Sequence, residues 1–204
     1  MGNWMLEAAL GAVLAAGLWA GWRLFDRKLL PAPPDAPRSD ARPKVSVVVP
    51  ARNEADNLPH LLESLRAQTL LPHEIVVVDD GSEDGTGEVA ARYGARVIRH
   101  DEPPPGWMGK NWALWDGFGR TTGDVVVFLD ADVRLAPNAL EALVAARDKA
   151  GGAVSVVPFH TAPRLAEKLS LVFNMLGVFA FMSPFVADNP RRGLYGSCIV
   201  TARE

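Results

Sequence analysis

The sequence predicts an α/β fold: a mostly parallel sheet flanked by helices, with a Rossmann-like opening, preceded by an N-terminal transmembrane helix. Three observations predict it. Short β-branched runs alternate with helix-spaced stretches from residue 44 onward. Several of those runs are apolar on both faces, as a sheet covered by helices on each side requires. An unbroken apolar run, residues 8–22, stands ahead of them.

The elements follow in order. Residues 45–49 (VSVVV) form a buried strand ended by Pro50. Residues 54–68 carry Leu58, Leu61, Leu62 and Leu65 at helical spacing. Residues 74–78 (EIVVV) are a second strand, cut off by Asp79-Asp80-Gly81. Residues 83–93 read as a helix with Gly94 as its carboxyl cap. A third strand covers 95–99, a helix 110–121, and a strong fourth strand 124–129 (DVVVFL). A last helix, 136–150, stops at Gly151-Gly152 before a fifth strand at 153–157.

Four regions divide the chain: an anchor at 1–28, a Pro-rich linker at 29–43, the α/β domain at 44–163, and an apolar helix with further chain at 164–204. Trp4 to Phe25 is 22 residues. As a helix it is roughly 33 Å long, against a hydrocarbon core of ~30 Å. Trp4, Trp19 and Trp22 suit interfacial positions. A cleaved signal wants basic residues before the run, whereas here Arg23, Arg27 and Lys28 follow it. The positive-inside rule then sets the amino terminus outside and the later chain on the cytoplasmic face. Five prolines within 31–43 make a semi-rigid spacer. Residues 169–187 are almost wholly apolar; they are expected to lie in or re-enter the interface, with a buried core helix as the alternative.

Composition excludes several classes. Hydrophobic residues at 49% and charged residues at 22% suit a globular chain rather than a disordered one. A net charge of −3 gives no reason to expect nucleic acid as a partner. Cys198 is the only cysteine, so no internal disulfide forms. No glycine-rich dinucleotide signature follows the first strand, and no Gly-Lys-Ser/Thr phosphate loop occurs. His60, His73, His100 and His160 show no metal-ligand spacing.

The polar clusters fall at the carboxyl ends of the strands, where open α/β sheets bind ligands. Asp130-Ala131-Asp132 follows the fourth strand, with both carboxylates able to face one ligand. Carboxylate oxygens suit Mg²⁺ or Mn²⁺, and such a cation keeps few protein ligands plus substrate phosphates. Asp79-Asp80-Gly81-Ser82 ends the second strand; an aspartate there can accept hydrogen bonds from a base or ribose, although an Asp-Gly pair also makes an ordinary turn. Pro50, Arg52, Asn53 and Glu54 follow the first strand, either bordering a nucleotide or, for Asn53, capping the next helix. Lys110, at a helix start after Gly106-Trp107-Met108-Gly109, can offset phosphate charge. Trp107 and Trp112 are able to stack on a sugar or base; core packing is the first expectation for Trp112 and Trp115.

In that order and spacing, VSVVVPARNE, EIVVVDDGSEDGT, GKNWAL and GDVVVFLDADV resemble family 2 glycosyltransferases of the GT-A fold, over roughly residues 44–160. The Pro-rich GWMGK stretch, the anchor and GLYGSCIVTARE are similar to the membrane-bound subgroup of hopene-associated and carotenoid-type enzymes. The resemblance implies a nucleotide-sugar donor, a divalent cation, a lipid-like acceptor and an inverting displacement. It implies that Pro50, Arg52 and Glu54 line the nucleotide pocket and that Asp80 contacts the base with Asp79 supporting it. Lys110 would then lie near the diphosphate or sugar, Asp130 near the ribose and sugar, and Asp132 on the metal. The family's general base stands in an acidic motif beyond a segment like 193–203, so it is expected past Glu204, in a longer protein. The alternatives are a non-catalytic nucleotide-sugar-binding module and a nucleotidyltransferase.

Overall fold

A computed structural model describes residues 42–100, 102–158 and 194–203, together with Leu30 and eight helical residues among the first twenty. Most of the expected anchor, residues 31–41 of the linker, the apolar stretch at 169–187, His160 and Glu204 lie outside the described residues. The chain divides into two compact units, Met1–Leu29 with Ala162–Gly193, and Leu30–Thr161 with Leu194–Glu204. In the first unit the described residues are helical and exposed, Leu14, Leu18 and Trp19 among them. Among the described residues, no helix is long and apolar enough to cross a membrane.

The second unit is the α/β domain. Its strands are β1 (Val45–Ala51), β2 (Glu74–Asp80), β3 (Arg96–His100), β4 (Val125–Leu129), β5 (Val154–Ser155) and β6 (Cys198–Ala202). Between them run α1 (Leu58–Arg66), α2 (Thr86–Arg92), α3 (Gly109–Gly119) and α4 (Ala139–Ala150). The sheet order is β3-β2-β1-β4-β6-β5. The first four strands are parallel neighbours; β6 is antiparallel to both β4 and β5. The sheet is therefore mixed.

Alternation along β1 explains the layers. Val45, Val47, Val49 and Ala51 face one core with Leu58, Leu61, Leu62 and Leu65 of α1, Ala90 of α2, and Leu140 and Leu143 of α4. Val48 faces the other core with Val76, Val78, Ile98, Val126 and Ala113 of α3. Successive side chains of a strand point to opposite faces, so a strand buried on both must be apolar throughout. Each such Val or Leu contributes about 1.5–3 kcal/mol on burial.

Buried polar groups tie the layers together. Ser46 Oγ donates to Glu74 Oε1 (2.7 Å) and accepts from the Gly123 N–H (2.9 Å). Gln68 Nε2 donates to the carbonyls of Ser64 and Ala136, while its Oε1 accepts from the Leu140 N–H (3.0 Å). Gln68 thus satisfies a donor in the first turn of α4, where Asn138 makes no side-chain cap. Helix α3 is fastened to β3 through Asp116, whose carboxylate meets His100 Nε2 (2.9 Å) and Arg120 Nε (3.0 Å).

Several boundaries differ from the sequence expectation. Strand β1 runs through Pro50 to Ala51, because its pairing with β4 ends at Val48 and the missing proline N–H falls past the doubly paired stretch. Helix α1 begins at Leu58, not Glu54; Pro59 sits in its first turn and residues 55–57 form a turn. Asn53 does not cap it: its φ is 55°, and its Oδ1 accepts from the Glu83 N–H. Strand β5 is reduced to two residues at the sheet edge, and β6, unforeseen as a strand, inserts between it and β4. The expected carboxyl caps hold, with Gly94 at φ 75° and Gly151 at φ 68°.

Candidate active site

The strand order reverses at β1: the chain moves outward through β2 and β3, then returns to place β4 on β1's other side. Such a switch point opens a crevice beyond the strands' carboxyl ends. A cleft of about 430 Å³ lies there, within the range of small-molecule sites. The β1 end contributes Pro50, Ala51, Arg52 and Glu54; the β4 end contributes Asp130, Ala131 and Asp132. Asp80 enters from β2, and Gly109, Lys110 and Ala113 from α3. Seven of the eight residues expected at the site line this one cleft.

The eighth, Asp79, does not. Its side chain is fully buried, with Oδ1 accepting from the Ser82 N–H (3.0 Å) and Oδ2 paired with Arg99 Nε (3.1 Å). Alternation along β2 turns Asp79 inward and Asp80 to the cleft. Asp79 shapes the turn behind Asp80 and is not itself a lining residue.

Two loops that frame the cleft are clasped to each other. The Asn53 N–H donates to Ser82 Oγ (3.0 Å), the Glu54 N–H to Thr86 Oγ1 (2.8 Å) and the Ala55 N–H to Asp84 Oδ2 (3.0 Å). In return the Glu83 N–H donates to Asn53 Oδ1 (3.0 Å). Hydrogen bonds from the Thr86 hydroxyl, and then from the Ala55 N–H, hold the Asp84 carboxyl below its ordinary value. Glu54 is further restrained by Asn57 Nδ2 on its Oε2 (2.8 Å).

The β4 side is held by β6. The Asp130 N–H donates to the Ser197 carbonyl (3.1 Å), one residue before Cys198 pairs with Leu129. Cys198 is buried, and burial together with the nearby Asp130 charge pushes its thiol up to about 11. Ala131, between the two carboxylates, is 3% exposed and lines the cleft with them. Lys110 Nζ lies 2.6 Å from Asp130 Oδ1. Among the described residues no ion pair engages Asp132 or Arg52. No group of three or more His, Cys, Asp or Glu side chains among the described residues encloses a metal position.

Close approach explains two glycines. A side chain at Gly109 would collide with the Asp80 carboxylate. At Gly117 a Cβ would stand 2.6 Å from Val48 Cγ1 and 2.9 Å from Val78 Cγ2, so α3 lies tight on the sheet. With Ala113 and Gly117 facing inward, Leu114 and Phe118 pack only partly against the core and Trp115 turns outward. Trp115 is 59% exposed, against the expectation of core packing, and Trp112 is half-buried beside His100. Trp107 touches both Trp112 and Trp115 and does not line the cleft.

The parallel four-strand core, the switch-point crevice and the Asp-x-Asp end of β4 define a GT-A-like α/β domain. The chain belongs to glycosyl transferase family 2, whose sequence model matches residues 46–201. It is 36% identical over 178 residues to a 4,4'-diaponeurosporenoate glycosyltransferase of Staphylococcus haemolyticus, covering 85% of this chain and 47% of that protein. The Staphylococcus aureus (strain USA300) protein of that name is 36% identical over 166 residues, covering 78% of this chain and 44% of its own. This chain spans about half the length of these curated relatives. Among solved structures, a mannosyltransferase from Pyrobaculum calidifontis in complex with GDP-Man and Mn²⁺ matches with a TM-score of 0.59 at 27% identity, over 97% of this chain and 54% of that one. Glucosyl-3-phosphoglycerate synthase from Mycobacterium tuberculosis, with Mn²⁺, UDP and glucosyl-3-phosphoglycerate, matches at 0.51 and 25% identity, over 78% of this chain and 57% of that one.

Proposed function

We propose that this chain is the donor-binding part of a metal-dependent, inverting hexosyltransferase that moves a sugar from a nucleoside-diphosphate donor to a lipid-like acceptor. The observation that carries the reading is the convergence of Asp80, Lys110, Asp130 and Asp132, from three separate elements, on one crevice. Asp80 receives the nucleoside, with Pro50, Arg52 and Glu54 along its wall. Lys110 stands on the diphosphate side. Asp130 and Asp132 hold a divalent cation, Mg²⁺ or Mn²⁺. The donor set fits such an ion: two carboxylates with open space, to be completed by phosphate oxygens and water. Asp130 already accepts a positive charge, that of Lys110. The cation, when bound, offsets the charge of the departing diphosphate.

In the transfer the anomeric carbon's bond to the diphosphate breaks as its bond to the acceptor oxygen forms. The acceptor proton passes to a general base. Every carboxylate of the cleft has a donor-side role in this reading, so that base is a group outside the cleft lining. The Mn²⁺ complexes among the structural neighbours support the cation, and the named carotenoid-type relatives support an apolar acceptor. No observation favours the non-catalytic module or the nucleotidyltransferase.

Calorimetric titration with a panel of nucleotide-sugars, with and without Mn²⁺, tests the reading. We expect one donor to bind in a Mn²⁺-dependent manner, and Asp132→Ala to abolish that dependence while leaving the thermal transition intact. Unchanged binding in the variant rejects the metal assignment.

The apolar run at residues 8–22 and the basic residues after it support an anchored chain with this domain on the cytoplasmic face. Cys198 is buried with a raised pKa, so it stays silent to thiol reagents. A cysteine introduced at Leu71, which is 63% exposed, is the reporter. It is expected to label from the cytoplasmic side of intact vesicles; labelling only from the opposite side overturns the topology.

A further inference from the structure

One of the two carboxylates assigned to the cation already carries a cation of the protein's own. Lys110 Nζ sits 2.6 Å from Asp130 Oδ1, with side-chain exposures of 50% and 24%. Asp132, two residues on, has no such partner among the described residues. Lys110 reaches the cleft from the first turn of α3, on a backbone that Gly109 brings against Asp80. Its four-carbon stem is long and half exposed, so the ammonium can exchange partners without moving the helix.

We propose that Lys110 is a built-in counter-ion. It occupies Asp130 while the cleft holds no donor, and it passes to the donor's diphosphate when that group arrives. This rests on the reading of the cleft given above and adds a coupling to it. A divalent ion entering alone must displace the ammonium from Asp130 and then leave it unpaired a few ångströms from a second positive centre. An arriving diphosphate removes both costs, since it takes the ammonium and also supplies ligands to the ion. The cation and the nucleotide therefore bind cooperatively, and by linkage each raises the other's affinity by one common factor. Asp132, free of such a partner, is the carboxylate that first engages the ion.

The test is Mn²⁺ binding, read by calorimetry or by the loss of the free-Mn²⁺ electron paramagnetic resonance signal, with no turnover involved. It is run on the full chain with Mn²⁺ alone and with UDP or GDP added. In the wild type, the nucleotide raises Mn²⁺ affinity. In Lys110→Met, Mn²⁺ alone binds about five- to tenfold more tightly, from loss of a half-exposed ion pair and of the repulsion that follows it. The nucleotide's enhancement shrinks by at least the same factor. Lys110→Arg keeps the charge and is expected to keep Mn²⁺ weak in the absence of nucleotide. Thermal melts of both variants exclude a folding cause, since neither substitution touches the buried core. Mn²⁺ affinity unchanged or weakened in Lys110→Met, while Asp132→Ala still abolishes it, overturns the counter-ion and leaves the cation site standing. Mn²⁺ binding that is absent from the wild type, with or without nucleotide, overturns both.

Discussion

Single residues set how near the charged groups of the cleft come to one another. Gly109 lets the first turn of α3 pass directly over Asp80, a distance that any Cβ would obstruct. Gly109→Ala is therefore expected to displace the Asp80 carboxylate and cost about 1.5–3 kcal/mol of nucleotide affinity, the range for one hydrogen bond to a charged group. Titration of the variant with UDP and GDP measures it, and the melting temperature should change little because residue 109 sits at a helix end. Affinity at the wild-type level would mean that Asp80 does not meet the nucleoside. The aspartates themselves were legible in the sequence because Asp80, Asp130 and Asp132 each end an apolar run. Which of Asp79 and Asp80 lines the cleft was not legible, because adjacency in the chain does not say which of two neighbours faces outward; the placement of β2 in the sheet decides it. The clasp formed by Asn53, Ser82, Asp84 and Thr86 was also hidden, since its partners lie about thirty residues apart.

Among the elements, the strands with both faces covered and the helices with a leucine stripe announced themselves. β1, β2 and β4 each carry a run of at least three β-branched residues, and α1 repeats Leu58, Leu61, Leu62 and Leu65. β6 did not, because its five residues carry no periodicity strong enough to separate strand from loop, and its place depends on pairing with β4, from Leu129↔Cys198 to Val125↔Ala202, far earlier in the chain. The outward Trp115 has a related cause. The sheet-facing side of α3 is chosen by small residues, Ala113 and Gly117, so the helix buries its least bulky face. This packing makes a prediction at the same scale. Gly117→Ala places a methyl against Val48 and Val78 and is expected to destabilise the domain by about 1–3 kcal/mol, against the usual gain from Gly to Ala within a helix. Denaturant unfolding reads the difference; a stabilised variant would show that α3 stands farther from the sheet than described.

For the molecule as a whole, function follows from strand order. Reversal at β1 separates the ends of β1 and β4 enough to open a crevice, and each loop that meets there leaves a buried strand or begins a tightly packed helix. A site held by so many elements is assembled only when the domain folds, which is why residues from 50 to 132 can act on one ligand. In the function proposed above, the domain supplies the sites for a donor and a cation. The apolar segments at 8–22 and 169–187 motivate the proposed membrane anchor and lipid-like acceptor.

The most direct test of the central claim is an anomalous difference map from a crystal soaked with Mn²⁺ and a bound nucleoside diphosphate. One strong peak is expected at coordination distance from the Asp132 carboxylate and the diphosphate oxygens, with the base beside Asp80 and the Lys110 ammonium drawn off Asp130 onto phosphate. A nucleotide bound outside the crevice, or a manganese peak with neither Asp130 nor Asp132 beside it, would contradict that claim.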